Sequence, residues 1–268
     1  MHYGLELPCG GDGIDAALLV QLGVDAEQAG WDGVFFEDYL VYYRGDDPPT
    51  FDPWLILTAV ALRTRTVRLG TTVTGLLHRD PVQLARQALT LRDLSGGRAV
   101  LGVGLGDPAD RGTFFAREPG PRGPRMDERL GQLLDLLAGR PIGPEGVVLR
   151  PGGGVPVWVG GSAQAGAVHR RAARADGIVP YQLTDTDSWS DFTASQIRSL
   201  VHQIGEHRSG AEPFDVAVGG RRRLHDEEAE RRAVSAAQEG GATWWLEFVA
   251  PGAPDTMRET VLRGPVRS

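Results

Sequence analysis

Three clusters in the sequence combine residue types that do chemistry at spacings that would let them act together. Glu37, Asp38 and Tyr39 are consecutive. Two carboxyls and a phenol at one place in a chain can hold, donate and accept protons; equally, either acid can cap a turn or pair with an arginine. Gly160, Gly161 and Ser162 follow the apolar run 156–159 and precede a helical pattern that starts near Gln164. Glycines permit a close backbone approach, and free N–H groups at a helix start with a serine hydroxyl suit a phosphate; the competing reading is a tight turn. Gly104, Gly106 and Ala109 fit the Gly-x-Gly-x-x-Ala spacing of dinucleotide sites. Pro108 falls inside that motif and the stretch belongs to a fourth strand, so the alternative is that these glycines clear space for a flat group.

What is missing narrows the chemistry further. All 28 basic residues are arginine, and the chain has neither lysine nor asparagine. Schiff-base enzymes, Walker-type NTPases and kinases all need a lysine and are excluded. A net charge of −7 argues against a general nucleic-acid binder. The dense basic run Arg221, Arg222 and Arg223 is followed by Asp226, Glu227, Glu228 and Glu230, which reads as a solvated face at a helix start. Cys9 is the sole cysteine, so no internal disulfide forms, and a lone thiol suits a reducing compartment. The six histidines lack metal-ligand spacing; His202 and His207, five apart, do not share a helix face, and no metal is expected. No Gly-x-Ser-x-Gly elbow is present. No apolar run approaches the ~18 residues of a membrane span. No basic segment followed by an apolar stretch reads as a leader. A cytoplasmic protein without membrane partners is expected.

The elements that must position these residues follow from patterning. Short apolar runs bounded by Gly, Pro or Asp read as strands over residues 3–7, 33–37, 67–74, 99–104, 156–160, 177–181, 214–219 and 243–249. Continuous rather than alternating hydrophobicity indicates a buried parallel sheet. Between them lie helical faces: Leu18, Leu19, Leu22, Ala26 and Ala29; Met126, Leu130, Leu133, Leu134 and Leu137; Ile197, Leu200, Val201 and Ile204. Asp52-Pro53 and Asp80-Pro81 each supply an N-cap and a proline at the first helical position, and Gly96-Gly97 ends the second of these helices. Eight strand–helix units in 268 residues match one (β/α)8 barrel, with a doubly wound sheet as runner-up. Three connections after strands stand out, at 40–51, 107–125 and 182–189. The middle one is a lid candidate or a passive surface excursion. On the last strand, alternation puts Trp244, Leu246 and Phe248 on one face and Trp245 with Glu247 on the other. Glu247 must then pair with an arginine, lie near the barrel mouth, or face solvent at the strand end.

Four stretches, in this order, resemble the bacterial luciferase-like family of flavin- and deazaflavin-dependent oxidoreductases: AEQAGWDGVFFEDY (26–39), DPWLILTAVALRTRTVRLGTTVTGLLHRDPVQLARQALTLRDLSGGRAVLGVGLG (52–106), VWVGGSAQAG (157–166) and GATWWLE (241–247). The similarity runs over about residues 3 to 250. It implies a (β/α)8 barrel with a flavin-class cofactor at its C-terminal mouth, either FMN or the deazaflavin coenzyme F-420. It implies that Gly161 and Ser162, with Gly160 in the same turn, contact the cofactor phosphate. Thr71, Thr72 and Val73 would lie beneath the ring, with a cis peptide joining Thr72 and Val73. Gly104 and Gly106 would flank the ring edge, with Asp107 next along the chain. Tyr39 stands where the family often has histidine, so it would donate a hydrogen bond or proton to the substrate, oriented by Asp38. Leu105 stands where the luciferases have arginine, which favours hydride transfer over oxygen activation. The resemblance also implies a homodimer acting on a small organic substrate held under the 107–125 loop. A non-catalytic barrel, flavin-binding or cofactor-free, is the alternative that the Tyr39 and Leu105 departures leave open.

Overall fold

The computed structural model describes residues 1–39, 50–106, 121–146, 148–149, 154–183 and 190–267. Eight strands alternate with eight helices: β1 (His2–Leu7), α1 (Ala16–Gln28), β2 (Gly33–Asp38), α2 (Pro53–Arg63), β3 (Arg68–Gly75), α3 (Pro81–Ser95), β4 (Ala99–Gly104), α4 (Arg122–Leu137), β5 (Val157–Ser162), α5 (Gly166–Ala172), β6 (Gly177–Tyr181), α6 (Ala194–Gly205), β7 (Asp215–Arg221), α7 (Glu227–Gly240), β8 (Trp244–Phe248) and α8 (Pro254–Leu262). All strand pairs are parallel, and β1 bonds both β2 and β8, so the sheet closes in sequence order. This is the expected (β/α)8 barrel. The doubly wound alternative fails because its sheet has two free edges and this one has none. Among the described residues no helix is long and apolar enough to cross a membrane.

Local signals start and stop the elements. The Asp52 carboxylate accepts from the Trp54 N–H at 2.8 Å, the Asp80 carboxylate from Gln83 N–H at 2.9 Å, and each is followed by proline. Gly96 ends α3 at φ 68°, a left-handed position that favours glycine. Thr193 and Gln196 form a reciprocal capping box at the start of α6.

Two apolar shells result. Outward-facing strand residues such as Leu5, Leu7, Val34, Phe36, Leu101 and Val159 pack under the helices. Inside the barrel, Phe35, Val100, Trp158, Ala217, Trp244 and Leu246 form a separate cluster. Phe35 meets Trp158 at 5.1 Å and Trp244 edge-on at 5.5 Å between ring centroids. The rings fit because their neighbours are glycines: a Cβ on Gly33 would lie 2.7 Å from Phe35, and one on Gly177 2.5 Å from Trp158. These aromatics plug the lower half of the barrel and form the floor on which the upper cavity stands.

Two expectations about the last third of the chain are resolved. Trp244 and Leu246 face the interior, and Glu247 faces the helices, where its carboxylate pairs with Arg223 at 2.7 Å and lies 3.6 Å from Arg263. The arginine run is a solvated face only in part: Arg222 and the acids at the start of α7 are exposed, whereas Arg221 and Arg223 are largely covered. β7 continues two residues past its expected end, to Arg221, which brings that guanidinium against buried Glu230 at 2.8 Å and Asp191 at 2.5 Å, above the Trp245 ring. Arg221 and Arg223 thus stitch β7 to β8, α7 and the chain before α6. Of the three long connections, residues 40–49, 107–120 and 184–189 lie outside the described residues, and with them the lid expectation and Asp107. α4 begins at Arg122, so the last residues of the 107–125 stretch are helical.

Candidate active site

A cavity of about 770 Å³ opens at the C-terminal ends of the strands, and all eight contribute to its wall. One side of it is acidic: Glu6 from β1, Glu37 and Asp38 from β2, with Tyr39 just after them. Val73, Leu105, Met126, Val168, Leu246 and Phe248 make the rest largely apolar. A site of mostly apolar lining with a few convergent polar groups suits an organic ligand. A second cavity, of about 290 Å³, lies at the opposite end, and its acids are spent on structure. Asp32 accepts from Tyr3 N–H at 2.8 Å, and Asp215 accepts from Thr243 at 2.9 Å and from the Trp158 indole at 3.2 Å.

The 37–39 cluster separates into two functions. Asp38 does not orient Tyr39. Its carboxylate is gripped by Arg79, at 2.7 Å from Nη2 and 3.0 Å from Nε, and accepts from the Thr74 hydroxyl at 2.8 Å. The Thr74 hydroxyl oxygen also lies 3.0 Å from that of Thr71, and Thr71 donates to the Gly102 carbonyl at 3.1 Å. This chain of bonds ties β2, β3 and β4 together at the point where the β3 ladder shifts register, between Thr71 and Thr74. Thr71 is fully buried behind the wall and its hydroxyl is engaged there. The Tyr39 hydroxyl instead donates to Glu37 Oε1 at 2.5 Å. Its backbone is held by Cys9, whose sulfur accepts from Tyr39 N–H at 3.4 Å and lies 3.7 Å from Tyr39 carbonyl. Burial foremost, then the Glu37 carboxylate, push the Tyr39 phenol far above its ordinary range. Burial likewise pushes the Cys9 thiol up to about 12, so it is no nucleophile at neutral pH.

Thr72 and Val73 line the cavity, and the peptide between them is cis. Val73 projects as a ledge that the neighbouring strands accommodate only as glycine. A Cβ on Gly104 or on Gly160 would lie 2.7 Å from a Val73 methyl, and one on Gly161 2.6 Å from Val168. Gly106, at φ 80°, also reaches the cavity and packs against His78. Gly160, Gly161 and Ser162 belong to β5 itself, paired with β6, rather than to a separate turn. The helix after them starts at Gly166, not near Gln164, and has only seven residues. Gln164 is instead a turn residue: its Oε1 accepts from the Ser162 hydroxyl at 2.8 Å, and its N–H donates to Ser162 Oγ at 3.4 Å.

Two cavity residues, Glu6 and Arg171, were missed from sequence. Glu6 sits between Leu5 and Leu7, and strand alternation turns it inward while those two face the helices. Burial raises its carboxyl to about 7, with the Thr72 hydroxyl pulling partly the other way. Glu37 was seen only as a member of its cluster. Arg171 lines the cavity beside Val168 and is held by Asp127 at 2.7 Å and the Gly123 carbonyl at 3.1 Å. In a chain without lysine, Arg171 is a cation that the described residues place at the β5 side of the cavity. Among the described residues, no three His, Cys, Asp or Glu side chains gather as a metal site.

Comparison with known proteins places this geometry. The family model for luciferase-like monooxygenases matches residues 6–263. An F420-dependent glucose-6-phosphate dehydrogenase of Nakamurella multipartita is 32% identical over 202 residues, 70% of this chain and 58% of the relative. A 5,10-methylenetetrahydromethanopterin reductase of Methanolobus tindarius is 29% identical over 247 residues, 87% of this chain and 68% of the relative. The chain thus spans somewhat over half to two thirds of the length of these relatives. The coenzyme F420-dependent tetrahydromethanopterin reductase of Methanopyrus kandleri has the same fold, with a TM-score of 0.69 at 15% identity over 98% of each chain.

Proposed function

Because the chain belongs to the luciferase-like monooxygenase family, we propose that its upper cavity holds a flavin-class cofactor, coenzyme F-420 or FMN, and that the protein is an oxidoreductase acting on a small organic substrate. The carrying observation is the Val73 ledge with its glycine walls. The cavity gives a flat group an apolar shelf at Thr72–Val73, and Gly104, Gly106 and Gly160 keep side chains out of the space beside it. When bound, such a cofactor donates or accepts a hydride. The chain's own residues do the rest. Gly161 and Ser162 offer backbone and hydroxyl contacts to a phosphate at the β5 end, and Arg171 supplies positive charge nearby, a role for which a planar guanidinium is suited. The Arg79–Asp38–Thr74–Thr71 chain fixes the ledge. Tyr39, which lines the cavity, is placed to hydrogen-bond a substrate oxygen. The apolar walls limit water around the reacting atoms.

Leu105 gives no cation at the edge of the shelf, which supports hydride transfer over oxygen activation. The relatives named above, described as F420-dependent dehydrogenases and as reductases, point the same way. We take residues 1–268 as one catalytic unit, with a single buried thiol that suits the reducing cytoplasm. The subunit has a dimerising face in α2, which carries no charge before Arg63 and leaves Leu55 and Leu62 exposed.

The test is titration of the purified protein with coenzyme F-420, FMN and their reduced forms, followed by absorbance and fluorescence. Saturable binding in the micromolar range is expected for at least one. No binding at roughly millimolar concentration, the upper end of working affinities, would overturn the proposal.

A further inference from the structure

Tyr39 poses a chemical problem that the geometry answers. A free phenol has a pKa near 10 and is a poor base at neutral pH, and this one is pushed further up by burial and by its acidic surroundings. Yet the residue lines the cavity, and its proton is already directed somewhere: to Glu37 Oε1, at 2.5 Å. Glu37 and Tyr39 are two apart at the end of β2 and line the same cavity. Glu37 is buried, with 9% of its surface exposed, so substrate meets it chiefly through the phenol.

We infer that Glu37 and Tyr39 work as one acid–base unit, in which the phenol oxygen meets a substrate hydroxyl and the carboxylate behind it takes the proton. The inference rests on reading the cavity as the active site. In alcohol oxidation the substrate O–H bond breaks and an O–H bond forms at Tyr39. The original Tyr39 O–H bond breaks in turn, and one forms at Glu37. Tyr39 is left neutral, Glu37 is left protonated, and the substrate carbon gives up a hydride with its two electrons to a flavin-class acceptor. Carbonyl reduction runs the same transfers backwards. The unit's effective base is a carboxylate, so it operates near neutral pH without forming a phenolate. Glu37 acts through Tyr39 and need not touch substrate. Among the described residues, the other titratable groups that act on the phenol are Glu6 from β1 and the Cys9 thiol after β1, while the neighbouring Asp38 is paired with Arg79. Ionisation of Glu6 therefore tunes the unit by adding negative charge, which makes Glu37 more basic.

The experiment uses the full chain without cofactor. Carbon-13 labelling of glutamate carboxyls, with Glu37 assigned through Glu37→Gln, follows its titration by NMR. Tyr39→Phe removes a donor that stabilises the carboxylate, and the Glu37 midpoint is expected to rise by about one pH unit or more, a tenfold change in proton affinity. Biosynthetic replacement of tyrosine by the more acidic 3-fluorotyrosine leaves packing intact and is expected to move the midpoint down. Midpoints unchanged in both proteins, with circular dichroism confirming the fold, would overturn the inference. Intact linkage in a protein that binds no cofactor would strike the proposed function and leave the acid–base unit standing, so the two failures are distinguishable.

Discussion

A carboxyl that faces a cavity from inside a barrel must either have a partner for its charge or give that charge up, and this cavity holds both arrangements. Asp38 is paired with Arg79 at 2.7 Å, and Glu6 is the opposite case. Its carboxyl is raised to about 7 because ionisation there forfeits water. The consequence for stability has a definite sign. Glutamate in the unfolded chain ionises near about 4.3. As pH rises from there towards 7 the unfolded state releases a proton that the folded state keeps. Stability from this group is fully present below that window and lost as pH passes through the folded value. Glu6→Gln is therefore expected to gain stability relative to the wild type as pH rises from about 4 to about 7, read from denaturant midpoints at several pH values. A difference that stays flat across the window would contradict the assigned burial effect. Glu6 also shows why single residues were only partly legible. Tyr39 and Asp38 drew notice because they adjoin each other in sequence. Glu6 and Arg171 reach the same cavity from strands and helices far away in the chain, and no local spacing announces them.

At the scale of elements, legibility was high wherever the determining forces are local. Asp-Pro caps, the Gly96 stop and the apolar strand runs all act within a few residues, and every strand was located to within two residues at either end. What local pattern did not show is contact across the barrel. The Arg221–Glu230 and Arg171–Asp127 pairs each join different elements, and the three-strand chain at Asp38 depends on how β2, β3 and β4 align. The same cross-strand dependence governs the Val73 ledge. Gly160 is acceptable as glycine for what stands opposite it, since an added Cβ would lie 2.7 Å and 3.1 Å from the two Val73 methyls. Val73 is β-branched and stiff at χ1, so it cannot swing clear. Gly160→Ala is expected to cost about 1–3 kcal/mol by overpacking and to weaken cofactor binding about tenfold or more, because the displaced ledge is the shelf. Gly154→Ala serves as the control, having nothing within 4 Å of the added carbon. If Gly160→Ala binds FMN and coenzyme F-420 as the wild type does, the ledge is not the shelf.

Among the described residues, the outer face of α2 is one that the barrel's own core does not explain. The α2 sequence PWLILTAVALR has no charge until its last residue, whereas a surface helix normally carries a polar outer stripe. Its inner side buries Trp54, Ile56, Leu57, Val60 and Ala61. Leu55 and Leu62 remain 72% and 66% exposed, and at a spacing of seven they stand two turns apart on one outer stripe, with Thr58 and Ala59 between them. Helix α3 packs beside α2 and adds Leu94, 45% exposed. A stable homodimer needs about 800 Å² from each partner, more than one short helix supplies, so the pairing must draw in α3 as well. A two-fold arrangement fits because the same stripe then meets itself. Leu55→Arg with Leu62→Arg places four cations at the centre of such an interface, with no compensating acid on the stripe. Native mass spectrometry is expected to show a dimer for the wild type and a monomer for the double variant, with circular dichroism unchanged because neither leucine is part of the core. A wild type that is monomeric at micromolar concentration would remove the dimer and leave α2's outer leucines without an account. A double variant that still dimerises would move the interface elsewhere on the barrel.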